Sequence, residues 1–70
     1  MVNDHRHEGI VLHNLGILEH RRSDIRTAML RYTQALELHR ATHNETFILK
    51  TLRMFASAEL ALHWQTSGAS

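Results

Sequence analysis

The chain has no cysteine and no proline, and its three glycines stand apart at Gly9, Gly16 and Gly68. Without thiols there is no disulfide and no thiolate metal site, and the redox compartment leaves no mark on the sequence. Nothing reads as a flexible Gly/Ser linker except the last few residues. No run of about 18 apolar residues occurs, so no segment is expected to span a membrane. The opening M-V-N-D-H-R-H-E lacks the apolar stretch of a secretory signal, and a cytoplasmic address is the default expectation. A formal charge of +1 is too small to imply nucleic acid or an anionic membrane by itself. Seventy residues allow one small domain with a modest core, so marginal stability and help from partners are expected.

Seven histidines are the compositional anomaly. Their protonation would add seven charges, so solubility, association or stability could change between about pH 7 and pH 5. The remaining pattern is helical. Asn3 and Asp4 are N-cap residues ahead of Ile10, Val11, Leu12, Leu15, Ile17 and Leu18, which predicts a helix over about 5–21 with Arg21 and Arg22 near its end. Ser23 and Asp24 interrupt the chain. Ile25, Ala28, Met29, Tyr32, Ala35 and Leu36 then recur at three- and four-residue spacing, predicting a second amphipathic helix over about 24–41. So short a connection folds the two helices into an antiparallel hairpin, with Gly16 and Ala28 letting the backbones approach.

Thr42 followed three residues later by Glu45 matches a capping box, and a third helix is predicted over about 44–65. Its apolar residues, from Phe47 to Trp64, leave only a narrow polar strip around Lys50, Arg53 and Ser57. Such a helix needs neighbours on more than one side. Residues 66–70 are expected to fray. The fold class is therefore all-α, with three helices.

Leu12-x2-Leu15-Gly16, then Ala28-x3-Tyr32, then Ala35-Leu36 resembles the tetratricopeptide repeat, a helix-turn-helix unit of about 34 residues. Ser23-Asp24-Ile25 stands where that family often has Gly-Asp-Tyr. Glu19 replaces the usual aromatic, weakening one packing contact, and Arg40 replaces the proline that often ends helix B. Leu52-x2-Phe55-Ala56 repeats the first motif at a spacing of 40, which looks like the repeat arrays of large bacterial regulators. The resemblance covers about residues 9–64, as one repeat and the first helix of the next. It implies an α-α superhelix fragment. About three repeats are normally needed to bury a solenoid core, so either further repeats or a second copy of the chain is expected to cover the third helix.

The resemblance also implies a partner-binding groove lined by the A helices, here Ile10, His13, Ile17 and His20 with Lys50, Arg53 and Ser57. Such a set would favour an acidic peptide or a C-terminal carboxylate, because cations and donors converge on it. The group Phe55, Leu62 and Trp64 is expected to form a helix-helix interface between chains, since exposed contiguous apolar surface is uncommon on a small monomer.

Other chemistries fare less well. His39 and His43, four apart, would share a helical face and His5 or His7 could join them, yet no acidic residues cluster with them. No metal or other cofactor is expected. No spacing brings a nucleophile, base and orienting group together, so an enzyme is not expected. Arg21, Arg22, Arg26 and Arg31 around a short inter-helix turn resemble a helix-turn-helix surface, with Arg26, Thr27, Arg31 and Gln34 offered to a groove. That nucleic-acid reading is the alternative; the leading expectation is a protein-protein interaction module.

Overall fold

The computed structural model describes residues 4–67. All regular structure among them is helical: α1 (His5–Arg21), α2 (Ile25–Ala41) and α3 (Glu45–Thr66), with no strand. Asn3 and residues 68–70 lie outside the described part.

Asp4 caps α1, its carboxylate accepting the His7 N–H at 3.1 Å and so pairing one of the helix's orphan amides. The caps Asp4, Asp24 and Asn44 recur at intervals of 20 residues. The two connections, Arg22-Ser23-Asp24 and Thr42-His43-Asn44, share one geometry. In each the middle residue is left-handed, with φ of 65° at Ser23 and 55° at His43. Ser23 and Asp24 donate their N–H groups to the carbonyls of His20 (3.0 Å) and Glu19 (2.9 Å). His43 and Asn44 donate likewise to Arg40 (3.2 Å) and His39 (2.8 Å). This is the Schellman arrangement, which satisfies the last carbonyls of a helix, built here without glycine. The capping box expected at Thr42 does not form. Thr42 ends α2 instead, its hydroxyl donating to the Leu38 carbonyl at 2.7 Å, and Asn44 takes the cap position of α3.

α1 and α2 run antiparallel along their lengths. Gly9 meets Leu38 and His39, Gly16 meets the ring of Tyr32, and near the turn Arg31 Nε donates to both Glu19 oxygens at 3.1 and 3.3 Å. Glu19 thus replaces a packing contact with an ion pair. α3 returns along α2, with His39 near its start and Gln65 Nε2 donating to the Ser23 carbonyl at 3.4 Å near its end. It lies mainly on α2 and touches α1 over a short stretch.

The interior has two unlike ends. Near the α1–α2 turn, Ile25, Ala28, Tyr32 and Ala58 are buried, with Ile17, Met29, Met54, Phe55, Ala61 and Leu62 packed around them. Toward the α2–α3 turn the buried polar side chains are His13, His39, Asn44 and Thr51. The largest fully buried side chains are Tyr32, His39 and Thr51, none of them aliphatic. Burial of apolar area drives folding, so a core that encloses His39 and Thr51 depends on their hydrogen bonds being made; the enclosed Tyr32 hydroxyl has no partner among the described residues.

A Cβ at Gly16 would lie 2.7 Å from Tyr32 Cδ1 and closer still to Cε1. Tyr32 is fully enclosed and cannot swing aside. Gly16→Ala should therefore destabilise the chain by about 1–3 kcal/mol through overpacking, read as a lower urea midpoint. Ser23→Gly should raise that midpoint, because removing the Cβ relieves left-handed strain of about 1 kcal/mol.

Candidate functional site

Besides the apolar cluster, a polar junction joins all three helices. Thr51 Oγ1, on α3, lies 2.7 Å from His13 Nδ1 of α1 and 3.1 Å from His39 Nε2 of α2. Thr51 and His39 are fully buried and His13 is 5% exposed. Helical spacing explains the convergence. His13 shares a face with Gly9 and Gly16, the positions where α1 comes closest to α2. His39 continues the buried stripe Ile25, Ala28, Tyr32, Ala35 and Leu36 by one more turn. Phe47 fills the space beside the imidazoles, edge-on to His13 at 5.3 Å and tilted against His39 at 5.5 Å between ring centroids.

A hydroxyl has one hydrogen, so of the two imidazoles one donates to Thr51 and the other accepts from it. His39 Nδ1 is buried with no partner. A bare acceptor there costs less than an orphaned N–H. His39 Nε2–H therefore donates to Thr51 Oγ1, and the Thr51 hydroxyl donates to His13 Nδ1, which puts both rings in the Nε2–H tautomer. Both histidines are held below the ordinary value of 6.5. For His13 the causes are burial, then His39, then Lys50. For His39 they are burial and then Arg6. Both rings are accordingly neutral at pH 7. Within the apolar end, burial and then the Glu19 carboxylate raise the pKa of Tyr32.

A hydroxyl 2.7 Å from an imidazole has the spacing of a nucleophile and its base. Thr51 is fully enclosed, however, and in this conformation the pair serves to tie helices together. Among the described residues no group of three or more histidine, aspartate or glutamate side chains is placed to hold a metal ion. His39 and His43 do not share a face: the first turns into the junction, and the second is exposed in the left-handed turn.

The groove residues read from the sequence separate. Lys50, Arg53 and Ser57 are exposed on α3, and Lys50 Nζ stands 4.9 Å above the Phe47 ring. Ile10, Ile17 and His20 are half-buried. His13 turns inward and offers no charge to a ligand, because its face of α1 is the one closed by α2 and α3. The expected interface group divides as well. Trp64 is 59% exposed, whereas Phe55 and Leu62 pack against the Ile25–Tyr32–Ala58 cluster. The outer face of α3 carries Leu49, Leu52 and Leu60 beside Trp64, 42–62% exposed and opposite the face buried on α2. Arg31 is held by Glu19, while Arg21, Arg22 and Arg26 are exposed.

No protein-family model matches the chain, and neither curated proteins nor solved structures give a match. Among the described residues no helix is long and apolar enough to cross a membrane.

Thr51→Val keeps the shape but removes the bridging hydroxyl, leaving two buried imidazole nitrogens without partners. It should lower stability by about 1–3 kcal/mol, and Thr51→Ser should recover most of that loss in the same urea titration.

Proposed function

We propose that the chain is a protein-protein interaction module, a tetratricopeptide-like scaffold that associates with a second copy of itself through the outer face of α3. One observation carries the reading. α3 is apolar on two opposite faces, and α2 covers only one of them. Soluble helices that are apolar on both sides need a second neighbour.

The uncovered stripe fits a copy of itself. Leu49, Leu52, Ala56, Leu60 and Trp64 follow one another at spacings of three and four residues along about 22 Å of helix. In an antiparallel pair related by a two-fold axis at Ala56, Leu52 meets Leu60 of the partner subunit. The small side chain falls where the backbones come closest, and the Leu52–Leu60 contact is made twice. Lys50 then approaches the partner's Trp64 on the same flank, a cation-aromatic pairing.

The tetratricopeptide resemblance supports the same surface from another side. In a stacked array the following helix would cover this face, as in the repeat arrays of bacterial regulators that the Leu52-x2-Phe55-Ala56 motif resembles. Either covering makes α3 the docking element. Beside it, Lys50 and Arg53 are exposed cations suited to an acidic peptide segment. The affinity comes from a few apolar anchors rather than from any chemical step.

Light scattering across concentration tests this. The chain should run as a dimer at micromolar protein, and Leu52→Glu with Leu60→Glu should give a helical monomer. A folded wild-type monomer at that concentration, or an unchanged dimer in the double variant, contradicts the proposal.

A further inference from the structure

We infer that the His13–Thr51–His39 junction is an acid-released latch: proton uptake by the two imidazoles frees the start of α3, as far as Thr51, from the hairpin while the helix from Met54 onward stays packed.

The geometry leaves no room for a charged imidazole. Thr51 supplies one hydrogen, and the junction as built uses it for His13. If both rings carry protons on both nitrogens, each must donate to the same oxygen. The threonine hydrogen then loses its acceptor, and two cations converge on one atom. His39 is worse placed still. Its second nitrogen faces Gly9, where a Cβ would lie only 2.9 Å away, and an added N–H would be buried without an acceptor.

Among the described residues no counter-charge is at hand. The groups around the junction are Arg6, Gly9 and His13 from α1, Tyr32 and His39 from α2, and Phe47, Lys50 and Thr51 from α3. Arg6 and Lys50 are cations and disfavour a further one. The Glu19 carboxylate is engaged by Arg31, and Glu8 lies 3.3 Å from His5. Both junction histidines accordingly have depressed proton affinity in the folded chain.

The sign of the effect follows. Below the unfolded value of 6.5 the unfolded chain takes up protons at these two sites that the folded chain refuses. Stability is fully present above about 6.5 and is lost as pH falls through the lowered folded values. With two sites refusing protons, the folding equilibrium constant falls by up to about 100-fold per pH unit.

The opening is local because the junction occupies only one end of α3. Phe47 and Thr51 belong to it. Met54, Phe55, Ala58, Ala61 and Leu62 pack at the other end on Ile25, Ala28 and the Tyr32 ring, contacts made by aliphatic and aromatic carbon. Acid therefore attacks α3 directly as far as Thr51, and the part from Met54 onward only through it.

The full chain provides the test. Amide exchange measured by NMR at pH 7.5 and 5.0, each corrected for its intrinsic exchange rate, should show protection falling at least tenfold more over residues 48–51 than over 58–62. Nitrogen-15 titration of the imidazoles should place His13 and His39 below 6.5 in the folded chain. His13→Gln with His39→Gln, if folded, should flatten the dependence of the urea midpoint on pH between 7 and 5. Should that variant fail to fold, the two wild-type measurements decide. Either imidazole titrating at or above 6.5, protection lost evenly along α3, or no loss of protection at pH 5.0 would overturn the inference.

Discussion

The hydroxyl of Thr51 is the point at which α1, α2 and α3 are fastened to one another by hydrogen bonds. α3 rests chiefly on α2, and its direct meeting with α1 is short. The hydrogen bonds to His13 and His39 lie at that meeting. Buried polar groups cost free energy unless paired, and in pairing they become demanding about geometry. The junction therefore does more to define where α3 sits than to add stability. Its exactness depends on Gly9, which makes room for the His39 ring, and on Phe47, which packs against both imidazoles.

This arrangement divides the work within α3. One face is committed to the hairpin, through the polar junction at its start and an apolar cluster toward its end. The opposite face is left apolar and exposed. A helix with one committed face and one free face suits a docking element, whether the second neighbour is another copy or further repeats.

Much of the architecture was legible from local chemistry. Asp4 and Asp24 mark helix starts, and the stripe from Ile25 to Leu36 identifies the buried face of α2. The second turn was misread at Thr42 because T-x-x-E satisfies a capping-box pattern, while Asn44, two residues later, holds the cap. The Schellman turns left no glycine to betray them, since Ser23 and His43 adopt the left-handed conformation. The junction escaped because histidine is usually placed on a surface by its polarity. Its signal was positional: Gly9, His13 and Gly16 share one face of α1, and His39 extends the apolar stripe of α2. On α3, apolar content alone showed that two faces need cover. It could not separate Phe55 and Leu62, which turn inward, from Leu49, Leu52 and Leu60, which turn out.

The central claim is that two neutral imidazoles and one hydroxyl join the three helices through a directed chain of hydrogen bonds from His39 to Thr51 to His13. Long-range nitrogen-15 correlation spectra of the imidazole rings at pH 7.5 test it most directly, because they report tautomer and charge at each ring. The account requires both His13 and His39 to be neutral and in the Nε2–H form. A charged ring, or an Nδ1–H tautomer at either position, would contradict it.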